Sequence, residues 1–346
     1  MDKPKYNNRP IASIEALSKA LQITIDELLK LAKDVDKYFI LNKPQPKANG
    51  STRQTFDTMP VLKEIHGRIL RHILYKVYYP NYLQGSIKDE EHPRDYITDC
   101  AKHTNQRIVF SEDISDFFPS IKSKYVFRMW KFLFNFPEDV ADILTKLTTY
   151  KGFVPQGAKT SSYIANLIFW ETEPLIFEEL AKRDFDYSRF VDDINCSTNR
   201  YINNNEKKYI TSLLYKMMYG VGVKPNRKKR KVMTNSNRMV VHNINVNWRK
   251  PTLSQKERNN IRAAVKQCEI IAEYDRLSEE YLKLYNSTSG RVAKMARLHK
   301  AQANKYRDRL RQISPFNKSK SSKSSWGFRV KLNQFFCPVS SLNHVI

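Results

Sequence analysis

The chain has 346 residues, 41% of them hydrophobic, enough to bury a sizeable core spread over two or three subdomains. Sixty Lys and Arg against 35 Asp and Glu leave a formal charge of +25, a balance that points to a polyanion, above all nucleic acid. Four scattered cysteines (Cys100, Cys196, Cys268, Cys337) lack metal-type spacing and read as reduced thiols of a cytosolic protein, and neither a secretory signal nor a membrane-length apolar run is present.

Ser13 and Thr24 each stand at an N-cap position ahead of apolar residues spaced three and four apart, which predicts two short helices within 11–37. The pair reads as a DNA-reading helix-turn-helix or as a packing hairpin. Residues 42–52, rich in Pro, Asn, Gly and Lys, predict a loop. A short strand then carries Arg53, and a helix starts at Pro60 with Leu62, Ile65, Ile69 and Ile73 on one face. A helical stretch at 94–103 ends on His103, which reads as completing a hydrogen-bond network.

Val109-Phe-Ser-Glu-Asp113-Ile-Ser-Asp116-Phe-Phe118 follows as a strand-like run with a carboxylate inside it. Residues 123–150 predict a pair of helices with Trp130, Phe132, Leu133 and Phe134 as their core stripe. At Pro155-Gln156-Gly157 a turn leads into a long helix, so phosphates or a base pair can approach the backbone closely.

Tyr187-Ser-Arg-Phe-Val-Asp192-Asp193-Ile-Asn-Cys-Ser197 alternates apolar residues on either side of adjacent acids, the pattern of two short strands joined by a tight turn. Two acids on a hairpin that a sheet buries are costly unless a cation neutralises them. With Asp113 on a separate strand, the set matches a two-metal phosphoryl-transfer site, with ions about 4 Å apart. After an amphipathic helix at 204–219, Lys224-Pro-Asn-Arg227-Lys228-Lys229-Arg230-Lys231 places six basic residues in eight positions. Such a run is normally a solvated face; closing the same subdomain as the acids, it is assigned here to phosphate contact. Residues 239–247 alternate like a hairpin strand. From Ser254 the chain turns helical, with Leu253, Ile261, Ala264 and Val265 inward and Arg258 and Arg262 outward. Helical pattern continues from about 268 to 312 with a basic face that includes Arg297, suited to gripping a duplex backbone. Residues 317–325 read as a Ser/Lys linker before an apolar tail.

The ordered set of acid strand, Pro-Gln-Gly turn, paired-Asp hairpin, basic Gly222-Xaa-Xaa-Xaa-Asn226 segment and helical region resembles the palm and thumb of a reverse transcriptase. Within that superfamily it is most similar to the bacterial retron-type and defence-associated enzymes, over about residues 12–270. Arg53 with Pro60, Leu62 and Lys63 is similar to their fingers segment. The resemblance implies an α+β right-hand polymerase. Its parts would be an N-terminal helical segment and linker (1–50), fingers (51–108), an antiparallel-sheet palm (109–248, with fingers helices inserted at 123–150), a helical thumb (249–316) and a linker with C-terminal tail (317–346). No maturase, nuclease or protease domain fits in what remains.

Residue by residue, the resemblance implies that Asp113 and Asp192 are metal-binding carboxylates for two Mg²⁺ ions and that Asp193 is the third acid. Phe118 falls at the sugar gate that rejects a ribonucleotide 2′-OH. Gln156 and Gly157 match the nucleotide-contacting turn and Arg53 the triphosphate-binding arginine. Lys229, or Lys228 in the neighbouring register, matches the basic residue that helps pyrophosphate leave. Lys224, Arg227, Lys228, Arg258, Arg262 and Arg297 are the expected contacts to nucleic acid. The implied partners are dNTPs, a noncoding RNA template, the DNA product and its RNA–DNA duplex, with an effector protein or a second copy of the chain, in the bacterial cytoplasm and away from membranes.

The sequence departs from the retron pattern at four places. Phe190-Val191-Asp192-Asp193 replaces Tyr-Ala-Asp-Asp, and Ser162 stands where proline usually follows serine. Val241-His242-Asn243 replaces Val-Thr-Gly, and Asp99-Cys100-Ala-Lys-His103 replaces Asn-Ala-Xaa-Xaa-His. The last two leave open a true retron enzyme or a related antiviral reverse transcriptase. Ser162 and Phe190 are the hints toward template-independent or protein-primed synthesis. A non-catalytic nucleic-acid-binding scaffold would need only the charge and the N-terminal helices, but retention of all three acids speaks against it.

Overall fold

The computed structural model describes residues 1–47, 50 and 52–315. The expected linker and tail, with Cys337, lie outside the described residues. By Cα proximity the chain forms two units, Met1–His242 and a second from Asn243 onward; each is described by itself.

The first unit is built around a mixed sheet. Its strands are β1 (Leu83–Gln84), β2 (Ile108–Ser115), β3 (Asp186–Phe190), β4 (Asp193–Thr198), β5 (Lys224–Pro225) and β6 (Lys231–Thr234). The order is β5-β2-β4-β3-β1, and β6 joins β2 on the same edge as β5. All pairings are antiparallel except β1 with β3, so the expected antiparallel sheet carries one parallel edge strand. Ile108, Phe110, Tyr187, Ile194 and Cys196 bury the alternating apolar residues of these strands.

Helices pack around the sheet. Ile14–Leu21 and Ile25–Lys33 start where Ser13 and Thr24 cap them, Thr24 in a full capping box with Glu27. Leu17, Leu21, Leu28 and Leu31 are buried, so these helices spend their apolar faces on the core. Pro60–His72 begins with its proline in the first turn, as read from the sequence. The helix after the Pro-Gln-Gly turn is shorter than expected, only Ser161–Leu167. In 123–150 the chain forms Ser123–Arg128, a π-helical turn Met129–Leu133, and Glu138–Thr148. That π turn rotates successive side chains off the α-helical stripe. Trp130 and Phe134 are consequently buried, Leu133 is only partly so, and Phe132 points outward at 55% exposure, against the expectation of a continuous core stripe.

Two histidines are sealed in this unit. His66 Nε2 lies 2.7 Å from the Leu147 carbonyl, and His103 sits between Ser197 Oγ (2.8 Å) and Ser188 Oγ (2.7 Å), completing a network as anticipated. Burial pulls both imidazoles down to about 4. The unfolded chain therefore binds these protons near pH 6.5, whereas the fold refuses them until about pH 4, so stability falls as pH drops through that window. The expected loss between pH 6.5 and 4 is on the order of 3 kcal/mol per histidine. Urea unfolding at steps between pH 7 and 4.5 checks it, and a His103→Gln variant should show a shallower decline.

The second unit is a bundle of Gln255–Ala272, Glu279–Ala296 and Lys300–Gln312, the first two capped by Ser254 and Ser278. Ile261, Val265, Tyr281, Val292, Met295 and Leu310 fill its centre, while Ala264 is only partly covered. Arg309 makes a bidentate pair with Glu269 (2.6 and 2.8 Å). Cys100, Cys196 and Cys268 are buried, Cys196 and Cys268 as free thiols, and no helix among the described residues is long and apolar enough to cross a membrane.

Candidate active site

β3 and β4 form the expected hairpin, with Phe190 opposite Asp193 and Val191-Asp192 as the turn. On its other side β4 pairs with β2 so that Asp193 is the register partner of Asp113. Asp192 is tied to the same point, its carbonyl accepting from Ile114 N (3.1 Å). Three carboxylates from two segments distant in sequence are thereby brought to one end of the sheet.

The turn is strained: Val191, a β-branched residue, holds φ 57, in the left-handed region. Its backbone is clamped on both sides. Val191 N donates to Gln84 O (3.3 Å), and Arg189 Nη1 donates to Val191 O (2.9 Å). Arg189 is completely buried and forms a two-pronged pair with Glu173, both contacts 2.7 Å. Nη2 also donates to Asn166 O (2.8 Å), and Tyr187 Oη donates to Glu173 Oε1 (2.7 Å). Sequence reading assigned no role to Arg189 or Glu173. The signal available was an arginine inside an apolar strand, which requires a buried acid somewhere.

Between β5 and β6 the chain bulges away from β2 over residues 226–230, opposite Glu112 and Asp113. Asn226 N donates to Asp113 O (2.7 Å), Lys229 Nζ contacts Asp113 Oδ1 (2.9 Å) and Arg230 Nε contacts Glu112 Oε1 (3.0 Å). Of the two registers open in the sequence, the lysine on Asp113 is Lys229. Lys224, Arg227 and Lys228 are exposed on this segment.

Burial raises the Asp113 carboxyl above its ordinary value even with Lys229 beside it, and Asp193 adds to the rise. Asp192 is pushed up more strongly, by burial and by the charges of Asp193 and Asp113. Burial pulls the Lys229 ammonium down, but the three acids outweigh it and hold it above its usual value. Mutually repelling carboxylates with hard oxygen donors fit a divalent cation. Among the described residues no group of three or more His, Cys, Asp or Glu side chains is arranged to hold a metal ion by itself, whereas Mg²⁺ takes only one or two carboxylates, with water and phosphate completing its shell.

The remaining predicted residues of the first unit have these local contacts. Gln45–Pro46 pairs with the Arg53 strand, Thr52–Arg53, and Lys47 Nζ contacts Asp116 Oδ1 (2.7 Å) just beyond β2. Phe117 is buried in parallel contact with Phe169 (5.8 Å), which leaves Phe118 as the partly exposed ring of the pair. Phe56 N donates to Gln156 O (2.8 Å), and Gly157, at φ 115, lies so close that an added Cβ would sit 2.4 Å from Phe56 O. Gly157→Ala is expected to cost about 2–3 kcal/mol, because it joins a forbidden backbone conformation to a backbone clash. Urea unfolding reads this, and an unchanged midpoint would rule it out. Arg258, Arg262 and Arg297 belong to the helical bundle of the second unit, Arg262 and Arg297 exposed and Arg258 partly covered.

Two departures noted in the sequence also meet here. His242 Nε2 lies 2.7 Å from Asp99 Oδ2, and Nδ1 lies 3.6 Å from Asp193 Oδ2. Burial pulls the imidazole down, but the two carboxylates outweigh it and hold it at about 9.

Comparison with known proteins gives the family. The family described as "Reverse transcriptase (RNA-dependent DNA polymerase)" matches residues 1–262. Retron Se72 reverse transcriptase of Salmonella heidelberg (strain 579083-10) is 35% identical over 344 residues, covering 98% of this chain and 90% of that protein. Retron Ec48 reverse transcriptase of Escherichia coli is 31% identical over 91% of this chain and 80% of its own length. Retron Ec86 reverse transcriptase, also of Escherichia coli, is 26% identical over 76% and 78%. The substitutions at Asp99 and His242 do not remove the chain from this group. With its α+β right-hand polymerase fold, the chain belongs to the reverse transcriptase family as a retron-type RNA-directed DNA polymerase.

Proposed function

We propose that this enzyme copies a dedicated noncoding RNA into DNA in antiviral defence, by two-metal nucleotidyl transfer. The observation that carries the chemistry is the meeting of Asp113, Asp192 and Asp193 at one end of the sheet beside Lys229. Two Mg²⁺ ions held by these acids would activate a hydroxyl for in-line attack on the dNTP α-phosphate and neutralise the leaving pyrophosphate. The chain's own groups position the reactants. Lys229 moves from Asp113 to the departing pyrophosphate, and Arg53 binds the triphosphate. Gln156 and Gly157 contact the nucleotide, and the Phe118 ring excludes a 2′-hydroxyl. Lys224, Arg227 and Lys228 in a palm of 109–248, and Arg258, Arg262 and Arg297 in a thumb of 249–316, take duplex phosphates. Residues 51–108 act as fingers. The relatives' printed names, reverse transcriptases of bacteria, support an RNA template and a bacterial setting; the cytoplasm, and an effector protein or a second copy of the chain as partner, are part of the same proposal.

The test is to purify the protein with its native locus and sequence the nucleic acids that accompany it, beside an Asp192→Asn, Asp193→Asn variant. One defined RNA with complementary, alkali-resistant DNA in the wild type alone is the expected result. Repetitive DNA unrelated to any bound RNA would replace templated with untemplated synthesis. Bound RNA without acid-dependent DNA would reduce the protein to a binding scaffold.

A further inference from the structure

Asp99 and His242 are 143 residues apart in the chain, yet they meet at 2.7 Å beneath the acid hairpin. The imidazole lies between two carboxylates, with Nε2 on Asp99 and Nδ1 turned to Asp193 at 3.6 Å. The ring lies tilted against Phe190, ring centroids 4.7 Å apart, and the backbone adopts φ 49 at His242. Asp99 is 0% exposed and, among the described residues, its Oδ1 has no hydrogen-bond partner. Keeping such a carboxylate in the interior costs free energy that apolar packing would not. What it holds is a histidine whose other edge faces a site acid.

Asp193 needs such a neighbour. Its side chain is 42% exposed, so its carboxylate has rotamers to choose from unless something fixes it. Asp113, by contrast, is directed by Lys229 on its carboxylate and Asn226 on its backbone.

We propose that His242, anchored by Asp99, is a positioning residue for Asp193, directing its carboxylate toward the metal position shared with Asp113 and Asp192. The two departures from the retron pattern are then one device: Asp99 without His242 is a stranded buried charge, and His242 without Asp99 has no anchor. The proposal rests on the two-metal reading given above.

Three full-length variants test it: His242→Asn, which suits the left-handed backbone but is too short to bridge the acids; Asp99→Asn; and the double substitution. Mn²⁺ affinity is measured by electron paramagnetic resonance on complexes with a chain-terminated primer–template and dNTP, and the melting temperature is measured in EDTA. His242→Asn should melt lower, because Asp99 loses its cationic partner and keeps only the Ser188 hydroxyl, and should bind Mn²⁺ about tenfold more weakly, the lower end of what outer-shell partners contribute. The double variant should recover the melting temperature, since no charge is stranded, while its Mn²⁺ affinity stays about tenfold weak. Recovery of both would show a merely structural pair and overturn the proposal, as would unchanged Mn²⁺ affinity in the double variant. If His242→Asn does not fold, the double variant decides alone. Asp193→Asn serves as the reference for lost metal binding. A wild type that makes no DNA would refute the polymerase reading while leaving the Mn²⁺ titration to judge His242.

Discussion

The Asp192→Asn variant is expected to lose DNA synthesis by about 10³-fold or more while the metal-free protein becomes no less stable. The rate loss follows because a carboxylate that helps hold a divalent cation contributes several kcal/mol to charge stabilisation, and each 1.36 kcal/mol is about tenfold. The stability expectation comes from the same environment read in the opposite direction. Burial and the charges of Asp193 and Asp113 raise the Asp192 carboxyl in the fold. Its contribution is therefore most favourable at low pH and is lost as pH rises above the unfolded carboxylate range toward neutrality. An amide carries no such charge, so in EDTA at pH 8 the variant should melt at or above the wild-type temperature. Primer extension and thermal melting on one preparation check both halves. A variant that loses activity only because it unfolds would contradict the assignment.

Arg189→Met should cost about 3–5 kcal/mol, the penalty of removing one member of a buried ion pair. Glu173 would keep its charge at 1% exposure with only Tyr187 Oη and no cation against it. Val191 O would also lose the guanidinium that holds the turn at φ 57, so activity should fall with stability. Glu173→Gln strands Arg189 and should cost a comparable amount. The Arg189→Met, Glu173→Leu double variant strands neither charge, so it should recover much of the stability but not the activity. Urea midpoints for the three variants make the comparison, and a double variant as unstable as the singles would show that the pair is not the source of the loss.

What the sequence made legible is what short-range chemistry specifies. Ser13 and Thr24 cap helices because their hydroxyls reach amides three residues on, and the hairpin around Asp192 shows itself through alternation interrupted by acids. Pairings between distant segments leave no such trace. Glu173 and Arg189 sit 16 residues apart on a helix and a strand, Lys47 reaches Asp116 across 69 residues, and Asp99 and His242 looked like two separate losses of pattern. Phe132 was misplaced for a different reason: hydrophobicity shows that a segment packs, but a single π turn changes which side does so. Arg53 was assigned a role by resemblance alone, since its short strand pairs only with Gln45–Pro46, and no local pattern ties it to the acids.

The ladder between β2 and β4 runs unbroken from Asp193 opposite Asp113 to Thr198 opposite Ile108. Because side chains alternate along a strand, inserting or deleting one residue within it would turn Asp193 to the opposite face of the sheet and exchange Ile194 and Cys196 with their polar neighbours. Apolar replacements along the same strands change only volume. This hairpin can thus tolerate changes of side-chain identity, while the residue count between acid and strand end acts as a fixed ruler.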